Sequence, residues 1–233
     1  MWTREIDGRV LTFHLAGINN QNFLMRDDET GSFWQQISGK AVSGPLKGRQ
    51  LKLVSTEELS FGLWRQENPR GTVLQPVAAY RQWYEKKDWE KSYSQLPSIV
   101  DTRKTGVAPR TLMIGVEVAG SSRAYPLKRV LELKLVQDRL GGKDIFLVAG
   151  PDGKSVRAFL SEIDGVAAPT EFYSKTESSA GLFVDSATVS DWNFKGCAIS
   201  GPAAGRCLKP VATISDYWFD WQIYHPQTTV FRR

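Results

Sequence analysis

Short apolar stretches separated by turn residues make up the first 76 residues of the chain. Residues 6–13 (IDGRVLTF) predict two strands joined by an Asp-Gly turn, because glycine readily takes the positive φ of such turns. Residues 44–48 (GPLKG) predict a hairpin loop. A capping pattern at residues 55–58, followed by apolar residues at helical spacing, predicts a helix that ends before Pro69, and residues 72–74 predict a closing strand.

The middle of the chain gives the clearest helical pattern. Apolar residues fall on one side of residues 126–138, and Gly141-Gly142 predicts where this helix stops. Residues 145–149 predict a short apolar strand, residues 78–96 an amphipathic helix, and residues 97–110 a linker. Together the elements predict an α+β fold that is predominantly β.

The hairpin loop occurs twice. The stretch AVSGPLKGRQLKLV at residues 41–54 returns as AISGPAAGRCLKPV at residues 198–211, and a shift of 157 positions aligns residues 39–74 with 196–231 without a gap. Of these 36 positions, 15 are identical. A period this long predicts two homologous units instead of a solenoid. The second copy carries Thr213 at the position of a helix cap, with Asp216 at cap spacing.

The duplication predicts the organisation of the chain. We expect a first repeat unit at residues 1–76, a helical connector and linker at 77–110, and a second repeat unit at 111–233. The second unit begins with a preface, residues 115–160, that has no counterpart in the first. We therefore expect the first unit to be incomplete at its N-terminus.

Several motifs in order resemble a known family. They include Arg-Ala-Tyr-Pro-Leu at 123–127, the Gly-Pro-x-x-Gly-Arg hairpin and His-Pro-x-Thr at 225–228. Together they resemble DUF3179, a bacterial and archaeal family of unknown function. Many members carry a cysteine motif after the apolar strand that follows Gly-Gly. Residues 146–153 stand at that place and contain no cysteine, so the resemblance implies that this chain lacks the family's cysteine site.

Composition and charge exclude some classes of protein. The chain has 233 residues, 41% of them hydrophobic and 24% charged, as in ordinary globular domains. The formal net charge is +5, but basic residues alternate with acids, as in EKKDWEK at 85–91, so we expect no nucleic-acid partner. No apolar run approaches the roughly 20 residues of a transmembrane helix, so we predict no membrane span.

Two cysteines flank the second copy of the loop. Cys197 and Cys207 would face each other across the hairpin, where the first copy has Lys40 and Gln50. The pair is either a disulfide or two half-buried free thiols. A disulfide would indicate an extracytoplasmic location, periplasmic or at the cell surface, and free thiols a cytoplasmic one.

Three kinds of side chain recur in both units as candidate binding or structural residues. They are Arg49 and Arg206, Trp34 and Trp192, and Asp27 and Asp185. The arginines would form an ion pair or cap a carbonyl, or else bind an anion. The tryptophans would be core residues or stacking platforms, and the acids solvated turn residues or cation ligands. Only two histidines exist, and His225 is expected to cap a helix. We assign no catalytic residue, metal ligand or cofactor.

The resulting hypothesis is a non-catalytic binding or assembly protein, an accessory subunit whose partner is another protein or a second copy. The alternative hypothesis is a metal- or thiol-dependent redox or hydrolytic enzyme, with active residues upstream of Met1.

Overall fold

A computed structural model of the chain describes residues 1–19, 22–54, 57–84, 89–98, 100–102, 105–167, 170–175 and 181–232. Most of its regular structure is strand, as predicted for a predominantly β fold. The strands of residues 1–110 are β1 (Glu5–Ile6), β2 (Arg9–Val10), β3 (Phe13–Asn19), β4 (Asn22–Asp27), β5 (Phe33–Gln35) and β6 (Ala41–Ser43).

The remaining strands lie after residue 110. They are β7 (Leu112–Val118), β8 (Ser121–Pro126), β9 (Leu135–Leu140), β10 (Lys143–Ala149), β11 (Val156–Leu160), β12 (Phe172–Ser174), β13 (Phe183–Asp185), β14 (Asp191–Trp192), β15 (Pro210–Val211), β16 (Thr213–Tyr217) and β17 (Thr229–Val230). The helices are α1 (Phe61–Glu67), α2 (Trp89–Ser94), α3 (Leu127–Leu133) and α4 (Trp218–Tyr224), with a 3-10 helix at Ala78–Trp83.

The N-terminal part, residues 1–76, is built on one antiparallel sheet. Its strand order is β3-β4-β5-β6, and the β1–β2 hairpin forms a separate two-stranded sheet around the predicted Asp-Gly turn. The core of this half contains Ile6, Leu11, Trp34, Ala41 and Leu51.

The C-terminal part, residues 111–232, contains three sheets. The orders are β15-β11-β10-β9, β12-β13-β14 and β16-β7-β8-β17. In the last of these the β7–β8 hairpin lies between β16, which pairs with β7 antiparallel, and β17, which pairs with β8 in parallel. One buried cluster joins Phe146 and Phe159 to the aromatic residues Phe172, Phe183 and Trp192.

The two parts are held together through α1. Leu63 of α1 is buried in the aromatic cluster of the C-terminal part. The guanidinium of Arg157 donates two hydrogen bonds to Glu57 (2.7 and 2.6 Å) and two to Glu67 (2.9 and 2.8 Å). The Arg157 side chain is 6% exposed, so its positive charge is balanced by the two carboxylates and not by solvent. The hydrogen bonds from Arg157 hold the pKa of Glu67 below its ordinary value.

The predicted helix at residues 126–138 is wrong beyond its first half. Helix α3 ends at Leu133, because Lys134 takes a positive φ of 63° and the chain continues as β9. Val136 and Leu140 are buried there, and β9 pairs with β10. The apolar residues of 135–140 therefore follow the period of two that is typical of a strand. In the sequence this pattern directly continues the helical pattern of the preceding residues, so the two together predict one helix.

Other predicted elements also differ from the structure. Thr213 and Asp216 do not cap a helix, because β16 runs through both and α4 begins after Tyr217. Residues 72–74 form no strand. The predicted cap at 55–58 falls partly on residues 55 and 56, which lie outside the described residues. The observed cap of α1 is Ser60, whose Oγ accepts from the Leu63 backbone N–H at 3.3 Å.

The predicted helix at residues 78–96 appears as two short pieces. A 3-10 helix spans Ala78–Trp83 and α2 spans Trp89–Ser94. Residues 85–88, between them, lie outside the described part of the chain.

Candidate functional site

Asp27 is the centre of a buried hydrogen-bond network in the N-terminal part. The Trp34 Nε1–H donates to Asp27 Oδ2 at 2.7 Å, and the Thr30 backbone N–H donates to Oδ1 at 2.6 Å. The Thr30 hydroxyl contacts Ser32, whose Oγ accepts from the backbone N–H of Leu46 at 3.0 Å. The network therefore fixes the hairpin loop to the end of β4.

Asp185 makes the corresponding contacts in the C-terminal part. Its carboxylate accepts from Trp192 Nε1 at 2.9 Å, from the Thr188 hydroxyl at 2.8 Å and from the Ser190 backbone N–H at 3.0 Å. The Ser190 Oγ accepts from the backbone N–H of Ala203 at 2.9 Å. Trp192 is completely buried and Asp185 nearly so.

Both carboxylates are stabilised in their charged form. Burial alone would raise the pKa of Asp27, but hydrogen bonds from Trp34 and Thr30 outweigh it and hold the pKa below the ordinary value. Burial would likewise raise the pKa of Asp185, but the hydrogen bonds from Trp192 and Thr188 outweigh it and hold that pKa below the ordinary value. The structure thus places both acids and both tryptophans in the interior, where the carboxylate oxygens accept hydrogen bonds from neighbouring residues.

The glycines of the shared loop are required by close backbone contact. Gly44 has φ +91°, and a Cβ there would lie 2.6 Å from the Ser32 Cα. Gly201 has φ +80°, and its Cβ would lie 2.7 Å from the Ser190 Cα. A side chain at either position would be strained and would also collide with the serine of the network.

The two shared arginines each hold an Asp-Gly turn. Arg49 forms an exposed ion pair with Asp7. Arg206 donates from Nη1 to the Asp164 carbonyl at 2.7 Å. The structure does not bring these arginines together with the buried Asp and Trp side chains, so the six repeated candidates form separate contacts instead of one site.

The two cysteines form a disulfide. Cys197 and Cys207 face each other in an antiparallel bridge, ten residues apart in sequence, and no free cysteine remains. Lys40 and Gln50 face each other in the same way in the N-terminal part. The disulfide therefore closes the base of the hairpin loop in the C-terminal part.

His225 terminates α4, as expected for a helix cap. Its backbone N–H donates to the Trp221 carbonyl at 3.0 Å, and its ring stacks on the Trp221 indole with centroids 3.6 Å apart. Burial holds the pKa of His225 below its ordinary value. Asn68 ends α1 with nearly the same backbone angles.

Sequence reasoning missed a cleft between the N-terminal part and β16. The cleft has a volume of about 500 Å³, and its walls include Trp2, Asn22, Ile37, Glu58, Ser215 and Asp216. Asp216 lies at the end of β16, and Asp220, in the first turn of α4, is its neighbour four positions later. One member of this acidic pair, Asp216, therefore forms part of the cleft wall.

The two aspartates share a buried environment. The Asn22 Nδ2–H donates to Asp220 Oδ2 at 2.7 Å, and the Tyr217 backbone N–H donates to Asp216 Oδ1 at 2.7 Å. Among the described residues, Asp216 Oδ2 and Asp220 Oδ1 have no hydrogen-bond donor. Burial, the charge of Asp220 and that of Glu58 raise the pKa of Asp216 to about 8. At neutral pH the pair therefore retains a proton.

The sequence signal for this pair was weak. In the gapless alignment, Asp216 and Asp220 stand opposite Leu59 and Leu63. Two aspartates four positions apart at a helix start usually indicate a solvated face, so their burial could not be anticipated without the contact to Asn22.

Two further properties of the described residues concern metals and membranes. No group of three or more His, Cys, Asp or Glu side chains in this part of the chain is arranged to hold a metal ion. Within the same residues, no helix combines the length and apolar character needed to cross a membrane.

Comparisons with known proteins give one match. No curated protein and no solved structure matches the chain. The profile of a family described as "Protein of unknown function (DUF3179)" matches residues 1–228. Because the match extends over nearly the whole sequence, the chain belongs to the DUF3179 family, in agreement with the motifs of its sequence.

Proposed function

We propose that the chain consists of two homologous units, at residues 1–76 and 111–233, joined by residues 77–110. The hydrogen-bond networks of Asp27 and Asp185 support this proposal, as do the matching contacts of Gly44 and Gly201. In this proposal residues 1–76 contribute the sheet and hairpin loop of the first unit.

We propose that the protein is a non-catalytic binding or assembly protein that acts as an accessory subunit. The observation that carries the proposal is the distribution of exposed apolar side chains. Of 21 exposed large hydrophobic residues in the described part of the chain, 16 precede residue 97. Leu74 is 96% exposed, Trp83 76% and Ile18 71%. Exposed apolar surface is typical of interaction sites, and this uneven distribution supports one within residues 1–96.

Equivalent positions differ in burial. Phe61 is 60% exposed, whereas Trp218, 157 positions later, is 1% exposed. Leu74 is 96% exposed and its counterpart Phe231 only 8%. Phe61 and Leu74 are therefore open where the corresponding side chains are covered, which supports a partner for these two side chains.

The alternative, an enzyme that uses a metal or a thiol, receives no support from the cysteines of this chain. Both are joined in the disulfide.

The assembly proposal predicts a particle larger than the 26.1 kDa chain. Because open apolar surface favours association, sedimentation velocity of the protein from gently lysed native cells should show a complex or oligomer. The double variant Phe61→Glu/Leu74→Glu should sediment as a monomer with an unchanged circular dichroism spectrum. Val189→Glu alters an exposed apolar residue of the C-terminal part and serves as the matched control. A wild-type chain that sediments only as a monomer in those extracts contradicts the proposal.

We propose an extracytoplasmic location, periplasmic or at the cell surface, because structural disulfides persist in oxidising compartments. Cells should be lysed in excess alkylating agent, and the protein then digested without reduction. The expected result is a peptide pair linked through Cys197 and Cys207. Two alkylated cysteines in the native protein would overturn the assignment.

A further inference from the structure

The two parts of the chain also meet at a cluster of buried oxygen atoms. Asn22 lies in β4 of the N-terminal part, Asp216 in β16 and Asp220 in α4. The Asn22 Nδ2–H donates to Asp220 Oδ2 at 2.7 Å, and the carboxyl groups of Asp216 and Asp220 lie within hydrogen-bond reach of each other. Three elements from distant parts of the sequence therefore bring two carboxyl groups and one amide together.

One oxygen of each of these side chains has no donor. Among the described residues, Asn22 Oδ1, Asp216 Oδ2 and Asp220 Oδ1 are three of the four buried side-chain oxygens without a hydrogen-bond partner, and the fourth is Gln222 Oε1. Asp220 is only 5% exposed, and all three oxygens are closed to solvent. Because buried polar atoms in folded proteins are normally paired, the three oxygens together indicate a bound group that they share.

The negative charge of this cluster is not balanced by a basic side chain. Neither Asp216 nor Asp220 has a lysine, arginine or histidine partner among the described residues, and the charge of Glu58 adds to theirs. A shared proton would join the two carboxyl groups, but it would leave one negative charge and the Asn22 oxygen without a partner. Buried charges in proteins are paired or coordinate metal ions. The charge and the atoms of the cluster are therefore those of a cation site.

We propose that Asn22, Asp216 and Asp220 bind a divalent cation of the calcium or magnesium class. Carboxylate and amide oxygens are the ligands that these hard cations prefer. Two carboxylates match the charge of one divalent ion, and the third ligand is the amide oxygen. An ion that has lost part of its hydration shell is small enough to lie among oxygens that a water molecule does not reach.

The cleft next to the cluster provides a path for the ion. Asn22 and Asp216 both line this cleft, and so does Glu58. Of the described residues that form its wall, none is lysine or arginine, so the cleft attracts cations although the chain has a net charge of +5. A bound ion would connect β4 to β16 and α4 and so stabilise the contact between the two parts. The inference is independent of the proposed assembly function.

Binding of calcium and magnesium to the intact chain is the first test. The protein is treated with EDTA and dialysed, and isothermal titration calorimetry with CaCl₂ or MgCl₂ at neutral pH should then show one ion per chain. The expected dissociation constant is about 1 mM or below, the range of extracellular calcium sites. Absence of saturable binding of both ions up to about 10 mM would overturn the proposal.

A matched pair of variants assigns the binding to the cluster. Asp216→Asn removes one charged ligand and should weaken binding at least about tenfold, because affinity depends on the number of charged ligands. Asp144→Asn removes an exposed carboxylate that lies 3.6 Å from Arg139 and should leave the dissociation constant unchanged. Equal affinity of the wild type and a folded Asp216→Asn chain would show that the ion binds elsewhere.

Manganese locates the bound ion in the wild-type chain. Mn²⁺ accepts the same oxygen ligands, and its unpaired electrons broaden the NMR signals of nearby nuclei. Substoichiometric Mn²⁺ should broaden the side-chain amide signals of Asn22 and the backbone amide signals of Tyr217 and Asp220, and excess Ca²⁺ or Mg²⁺ should restore them. The amide of Asp144 is the internal reference and should stay sharp. Broadening only at other residues would show an adventitious surface ion and overturn the site, even if Asp216→Asn does not fold.

Discussion

Replacing Asp185 with Ala is expected to lower the free energy of unfolding by about 3–5 kcal/mol, because several buried donors would lose their acceptor at about 1–3 kcal/mol each. The donors are Trp192 Nε1, the Thr188 backbone N–H and the Ser190 backbone N–H. The water that could replace the carboxylate has little access to the site, since Asp185 is only 1% exposed. Urea unfolding, monitored by tryptophan fluorescence, measures this loss in the free energy of unfolding.

The controls separate the network from the general effect of removing a charge. Asp144→Ala removes an exposed carboxylate that lies 3.6 Å from Arg139, and should cost no more than about 1 kcal/mol. Asp27→Ala should be as damaging as Asp185→Ala, because its network is the same. A loss below about 1 kcal/mol for Asp185→Ala would show that the buried network contributes little to the fold.

Raising the pH above neutrality is expected to destabilise the protein through Asp216. Its folded-state pKa is raised from 3.8 to about 8, so between these values the folded chain binds more protons than the unfolded chain. The contribution of Asp216 to stability is thus fully present below about pH 4 and is lost as the pH rises to about 8. Each pH unit in that window lowers the free energy of unfolding by up to about 1.4 kcal/mol.

Urea unfolding at pH 6.5, 7.3 and 8.0 tests this dependence. The comparison with Asp216→Asn cancels the titration of His225, whose lowered pKa gives a pH dependence of the opposite sign. Asp216→Asn, which is neutral at every pH, should reduce the slope. An identical slope in wild type and Asp216→Asn would mean that another group causes the dependence.

Local turn chemistry made part of the fold predictable. The Asp7-Gly8 turn and the loop at 44–48 depend on glycine at positive φ, a requirement that is visible in the sequence. Helix α1 lies close to its predicted position, because the apolar spacing and the following proline that indicate a helix are also local signals. The disulfide was one of two predicted alternatives, and its two cysteines indeed face each other across the loop.

Longer-range contacts limited the remaining predictions. The apolar spacing after Lys134 also fits a helix, and only the pairing of this segment with β10 shows that it is a strand. Thr72-Val73-Leu74 was predicted as a strand from its β-forming residues, but its counterpart β17 is a strand only because β8 lies beside it. The carboxyl pair depends on Asn22, almost 200 positions away from Asp220.

Corresponding side chains differ in exposure: Phe61 of α1 and Leu74 are open, whereas Trp218 of α4 and Phe231 are covered. Hydroxyl-radical footprinting of the native chain, with the urea-unfolded chain as reference for each side chain, measures this difference directly. The account predicts that Phe61 and Leu74 are oxidised nearly as fast in the monomer as in urea, whereas Trp218 and Phe231 are strongly protected. In the native complex Phe61 and Leu74 should become protected as well. Similar protection of both pairs in the monomer, or unchanged oxidation of Phe61 and Leu74 in the complex, would contradict it.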